Sequence, residues 1–420
     1  MVIDSEDGRE PTPAMTESNS VLDSVSAIPV KVINTLLFGY QIPDPLPWAT
    51  IAGPLAAAED SLARLDERLA KSPIRDGWIT RTHYTDAVAC LWLDGELVHM
   101  EDLVLHDARM DIRAPTHELT RAHTVLRIRR RIAAEKPGWA LSITGLAGLR
   151  GRGGPGALEE GMGGDETSDR KKERGAGKDA VDDPDATESD LALSAIETDP
   201  RLAAAFAAVD AANARAERTL ARETRPRSER DPLVYDLDWD EDAHLDDWRA
   251  IVDQTRTLPP TLAAAIAAEA WATIAPLQHM PWLGRLLAAA LLRQRGKTRW
   301  HLPCLHEGLK IIPRERRRPR DAAAQLAVQL EAMTAAAEDG CKDHDRWLMT
   351  RNLLARKLAG RRTTSKLPAL LDYVLTRPVV SAGMIAAELA ITPRAAQNLV
   401  AELGLREATG RGRYRAWGIL

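Results

Sequence analysis

Apolar residues recur at three- and four-residue intervals through most of the chain, and that period predicts helices rather than strands. Leu55, Ala58, Leu62, Leu65 and Leu69 mark one face of a first helix; Glu59, Asp60, Arg64, Glu67 and Arg68 mark the other, and Ser72-Pro73 stops it. The same pattern predicts helices over 83–107 (Val88, Leu91, Trp92) and 116–134 (Leu119, Val125, Leu126, Ile132), ending before Pro137-Gly138. It returns at 202–220, 262–275, 282–292, 322–337 and 347–358. Alternating strand patterns are scarce until the last fifteen residues, so the expected fold is mainly α.

The most specific pattern lies at 367–420. A helix over Leu367–Thr376 is closed by Arg377-Pro378, Ser381 caps a second helix over Ala382–Leu389, and Thr392-Pro393 starts a third that Gly404 ends. In that third helix Ala396, Leu399, Val400 and Leu403 share the inward face, which turns Arg394, Gln397 and Asn398 outward. Two helices on a tight turn, the second presenting residue types that read base edges, form a helix-turn-helix. Residues 405–408 and 413–417 flank Thr409-Gly410-Arg411-Gly412 as a wing hairpin, with Arg413 and Arg415 on one face. The expected DNA-contacting set is Thr392, Arg394, Gln397 and Asn398 in the major groove, with Arg411, Arg413 and Arg415 on the backbone or minor groove. Winged helices also serve as protein-docking modules, and that alternative stands beside the first.

Charge sharpens the picture. Residues 293–420 hold 24 Lys/Arg against 12 Asp/Glu, a charge of +12, which leaves −17 for residues 1–292 of a total of −5. A basic third on an acidic body suits a polyanion partner at one end, here double-stranded DNA. A second basic run, Arg314, Arg316, Arg317, Arg318 and Arg320, is either a phosphate-contacting patch, or a solvated face or one paired with the acidic body. Because one winged helix makes a small interface, two copies acting as a homodimer fit this reading. Three cysteines without a Cys-x-x-Cys pair argue against a disulfide framework, and the acidic N-terminus and lack of a long apolar run argue against secretion or membrane spanning. A cytoplasmic protein is expected. Its predicted parts are a disordered lead-in (1–45), a helical domain (46–149), a disordered acidic Gly-rich linker (150–200), a second Ala/Arg-rich helical region (201–366) and the winged helix-turn-helix (367–420).

Other constellations are thin. His99, Asp102 and His106 share a helical face, His301, Cys304 and His306 cluster in sequence, and Asp236, Asp238, Asp240 and Asp247 sit at calcium-loop spacings, but none completes a ligand set and Glu241 stands where a calcium loop needs glycine. No metal, cofactor or catalytic residue is expected. The eleven tryptophans lie among Leu and Ala in helical segments, which points to packing.

The blocks LARLDERLAKSPIRDGW, LVLHDARMDIRAPTHELTRAH, LKIIPRERRRPRD and VSAGMIAAELAITPRAAQNLVAELGLREATGRGRYRAWGIL resemble an uncharacterised family of alphaproteobacterial, often plasmid-borne proteins that end in a helix-turn-helix. That resemblance implies an order of parts more than an activity. The order is also similar to Fic-domain adenylyltransferases, whose loop H-P-F-x-[DE]-G-N-G-R-x-x-R would correspond to Ile274–Leu287. Pro276 and the Gly284-Arg285-Leu286-Leu287 ending agree, but Ala275 replaces the base and the acid and Gly-Asn-Gly nest are missing. Ala89–Glu96 resembles the Ser-x-x-x-Glu-Gly motif of the inhibitory helix, with Cys90 for Ser and Asp94 for Glu. Without a positioned base or a phosphate-cradling backbone, the resemblance implies a catalytically inactive relative. The sequence therefore yields a DNA-binding protein, a transcriptional regulator in class, with an inactive Fic-like helical interaction scaffold as the rival.

Overall fold

The computed structural model describes residues 39–110, 114–150, 239–358, 365–409 and 415–418. The chain divides into one unit of Met1–Glu159 with Glu241–Leu420 and a second of Glu160–Asp240, nearly all of which lies outside the described residues. The expected linker over 150–200, the helix over 202–220 and most of the lead-in fall outside them too. Within the first unit the described residues form thirteen α-helices and three short strands.

The helices before the gap are α1 (Trp48–Ala70), α2 (Arg75–Leu93), α3 (Met100–Asp107), α4 (His117–Ala134) and α5 (Ile143–Leu149). Local chemistry sets several of their ends. Thr116 Oγ1 accepts from the Leu119 N–H at 3.3 Å to cap α4, and Ser142 Oγ accepts from the Gly145 N–H at 3.0 Å to cap α5. The single helix expected over 83–107 is two, because the chain turns at Gly95 with φ +89° between α2 and α3. Part of the expected lead-in is also ordered: Tyr40 and Ile42 pack against the core, where burial is worth more than the freedom of a loose segment.

After the gap come α6 (Glu241–Gln254), α7 (Pro260–Ile274), α8 (Leu283–Gln294), α9 (Leu305–Ile311) and α10 (Ala322–Arg356). Helix α7 is buried on nearly every side from Thr261 to Ala268, as its run of alanine and leucine demands. The two segments expected at 322–337 and 347–358 are one helix of 35 residues. The polar stretch between them stays helical because it has a packing surface: a Cβ at Gly340 would lie 2.9 Å from Leu65 Cδ2 and 3.1 Å from Trp78 Cζ2, so the helix there presses closely on α1 and α2. Residues 51–149 and 245–337 share one hydrophobic core. Trp78, Trp248, Trp271 and Trp282 are buried in it, whereas Trp48, Trp92 and Trp300 are exposed, so the packing reading of the tryptophans holds for only part of them.

A buried ion pair ties the two halves of that core. Arg129 Nη1 donates to Asp86 Oδ2 at 2.9 Å, both side chains being fully buried. Arg129 also donates to the Leu302 and Pro303 carbonyls, while Asp86 accepts from the His306 and Glu307 backbone N–H groups at the start of α9. Asp86 thus serves as a cap that a residue 220 positions away supplies to α9.

The last module contains α11 (Leu367–Thr376), β1 (Val379–Ser381), α12 (Ala382–Leu389), α13 (Pro393–Leu403), β2 (Arg406–Glu407) and β3 (Ala416–Gly418). The strands form an antiparallel sheet of order β1-β3-β2, with Val380 opposite Trp417 and Glu407 opposite Trp417 on the other side. Its own core gathers Leu370, Leu371, Val374, Ile385, Val400, Leu403 and Trp417, joined by Leu354 and Ala355 from the C-terminal end of α10 and by Leu358 just beyond it.

Candidate nucleic-acid interface

Helix α13 is built as the sequence pattern requires. Thr392 Oγ1 accepts from the Ala395 N–H at 3.2 Å, Pro393 occupies the first turn where no N–H is missed, and Gly404 at φ +71° ends it. The Gly404 and Leu405 N–H groups both return to the Val400 carbonyl, and Lys357 Nζ donates to the Leu403 carbonyl at 2.8 Å. Ala396, Val400 and Leu403 are buried and Leu399 is half-buried. Arg394, Gln397 and Asn398 are exposed together on the opposite face, with Thr392 at its N-terminal edge. In front of it Ser381 Oγ caps α12 by accepting from the Met384 N–H at 3.2 Å, and Ala390 takes the left-handed turn conformation, φ +51°, that leads into α13.

Of the wing arginines only Arg415 is described; Arg411 and Arg413 lie outside the described residues. Arg415 is exposed, sits 5.3 Å from the Trp417 ring centroid and donates to Glu407 Oε2 from both Nε (2.9 Å) and Nη2 (2.6 Å). A phosphate at the wing would compete with that carboxylate for the same fork.

Residues 367–420 match a family described as HTH DNA binding domain, and residues 233–359 match one described as Protein of unknown function (DUF1612). "Uncharacterized protein y4cF" of Sinorhizobium fredii (strain NBRC 101917 / NGR234) is 46% identical over 388 residues, 87% of this chain and 96% of that one. The chain belongs to the y4cF family. The relationship to an alphaproteobacterial family that ends in a helix-turn-helix is thereby shown, and the exposed face of α13 lies inside the matched DNA-binding domain.

The sequence pattern did not anticipate how this domain is held. Arg81 of α2, 8% exposed, reaches across to the last turn of α11: Nη1 donates to the Leu375 carbonyl at 2.6 Å, and Nη2 to those of Val374 (3.3 Å) and Arg377 (3.1 Å). Its guanidinium stacks 4.1 Å from the Trp347 ring centroid on α10. Burial pushes its pKa down to about 10, so it remains charged at neutral pH and meets the negative end of the α11 dipole. Gly77, one turn before it, allows the approach, since a Cβ there would lie 1.8 Å from the Leu375 carbonyl oxygen. No local pattern announces such a contact, because its two sides are 294 residues apart.

The upstream basic run lies in the loop between α9 and α10. Arg314, Arg316, Arg318 and Arg320 are exposed, whereas Arg317 is half-buried and donates to the Ile312 and Lys310 carbonyls. Three cations upstream of it serve the body: Arg293 donates to the Ile132 carbonyl, Arg295 to that of Thr255, and Lys297 pairs with Glu59.

His306 bonds Asp86 and the Trp282 carbonyl, while His301 packs edge-on against Trp78. Asp107 is held by His123, Arg130 and Tyr84. Asp236 and Asp238 lie outside the described residues. Among the described residues no group of three or more His, Cys, Asp or Glu is placed to hold a metal ion, and no helix is long and apolar enough to cross a membrane. The stretch compared with the Fic loop connects α7 to α8, with Pro276, Leu277, Met280 and Trp282 buried in it.

Proposed function

We propose that this chain is a regulator that binds double-stranded DNA, with the N-terminal half of α13 entering the major groove. The observation that carries the reading is the division of α13: three small or aliphatic side chains close its inner face while Arg394, Gln397 and Asn398 stand free of the domain core. Arg pairs with guanine edges and Asn or Gln with adenine edges, so a short mixed-sequence site is expected. Thr392 keeps its hydroxyl proton for a phosphate, since its oxygen serves the cap as acceptor. Arg411, Arg413 and Arg415 supply the wing contact, and Arg415 exchanges Glu407 for phosphate on binding.

Selection of bound duplexes from a random library by the full-length protein tests this. A site of definite sequence is expected to emerge, and Arg394→Ala and Asn398→Ala are each expected to relax one position of it at a cost of about 1–3 kcal/mol. Absence of enrichment would remove the base-reading role and leave the module as a surface for protein contact.

A further inference from the structure

The exposed arginines at the far end of α10 form a candidate surface of their own. The loop from Ile312 to Asp321 is pinned at every side. Ile312 is buried with Leu309, Val328 and Ala332. Arg317 is spent inward, donating to the Ile312 carbonyl at 2.7 Å and the Lys310 carbonyl at 2.8 Å while lying 4.7 Å over the Trp92 ring. Gln325 Nε2 donates to the Pro319 carbonyl at 3.0 Å, and Asp321 Oδ2 accepts from the Ala324 N–H at 2.8 Å to cap α10. What the held loop presents to solvent is Arg314, Arg316, Arg318 and Arg320. Arg316 has a surface partner in Glu331 at 2.6 Å, an exposed pair of the kind worth under about 1 kcal/mol and easily exchanged for another anion. Within Ile312–Arg320 five arginines face one acid, Glu315.

The position of this loop matters as much as its charge. It opens α10, and the other end of the same helix contributes Leu354 and Ala355 to the core of the DNA-binding domain. Trp347 on α10 also carries Arg81, the side chain that holds α11. The helix-turn-helix and the arginine loop are thus fixed at the two ends of one helix of 35 residues, which spans about 52 Å at about 1.5 Å per residue.

We infer that Arg314, Arg316, Arg318 and Arg320 form a second contact, to the phosphate backbone of the same duplex that α13 reads, beyond the base pairs that α13 touches. This rests on the DNA-binding reading above. The contact carries no sequence information, because guanidinium forks grip phosphates of any base. It adds affinity because α10 holds the second site near the duplex once the first is bound.

The experiment uses full-length protein and two labelled duplexes containing the selected site, one of about 14 bp and one extended to about 36 bp, over a salt series. Arg314→Ala/Arg318→Ala/Arg320→Ala is expected to weaken binding to the long duplex at least about tenfold and to lower its salt slope by about 2.7, the share of three phosphates, while leaving the short duplex unaffected. The corresponding triple lysine variant is expected to keep most of the slope, which separates charge from folding. If the alanine variant binds both lengths as the wild type does, or loses equally on both, the second contact is overturned while the α13 reading stands. If wild type binds neither duplex, the DNA reading itself fails, and this inference with it.

Discussion

Arg81 has its guanidinium inside the protein, and the acceptors it reaches belong to another module: three carbonyls at the end of α11. Truncating it leaves those carbonyls without a donor, and each unsatisfied buried group costs about 1–3 kcal/mol. Arg81→Met is therefore expected to lower stability by about 3 kcal/mol in chemical denaturation and to speed amide exchange in α11 more than in α4. Unchanged exchange in α11 would contradict the clamp. Gly77→Ala reaches the same contact sterically and is expected to have the same local signature, since the added methyl would meet the Leu375 carbonyl. Asp86 is the other decisive residue. Burial alone would raise its carboxyl, but Arg129, His306 and the backbone N–H groups at α9 outweigh it and bring the pKa to about 2. A carboxyl that titrates lower in the folded than in the unfolded chain stabilises the fold at pH above about 4, and that stability is lost as the pH falls toward about 2. The denaturation midpoint should fall across that window. Asp86→Asn, which strands Arg129, should cost about 3–5 kcal/mol and flatten the acid dependence there; an unaltered acid profile would show that the pair does not carry it.

At the scale of elements, what could be read from the sequence is what adjacent residues decide. The start of α12 and both bounds of α13 follow from Ser381, Thr392-Pro393 and Gly404, each of which acts within three or four residues of itself. The outward triplet of α13 follows from the period of its buried neighbours. Strand β1 was not legible because its three residues gain their pairing only from β3, more than thirty positions later. Helix α9 was missed because it is short and takes its cap from Asp86. The unbroken course of α10 depends on Gly340 lying against α1 and α2, which no window along the chain can show. Where caps are local their removal should be local too: Thr392→Ala is expected to cost about 1 kcal/mol in equilibrium unfolding, with the effect concentrated in α13 exchange. A loss spread evenly over the body would mean that the cap is not what holds this helix end.

For the whole molecule, the division of charge now has a physical address. Arg293, Arg295 and Lys297 are consumed by carbonyls and Glu59 within the body, whereas the terminal domain and the α9–α10 loop keep arginines exposed to a polyanion. The domain that matches an HTH DNA binding domain is clamped to that body rather than merely tethered to it. The most direct test of the central claim is fluorescence anisotropy of full-length protein on the selected duplex and on a random one, from about 50 to about 200 mM salt, for wild type and for Arg394→Ala/Gln397→Ala/Asn398→Ala. The account predicts binding that weakens steeply with salt on both duplexes, and a preference for the selected duplex that the triple variant loses while keeping its salt-dependent affinity for the random one. A triple variant that retains the full preference, or a wild type that binds neither duplex at the lowest salt, would contradict it.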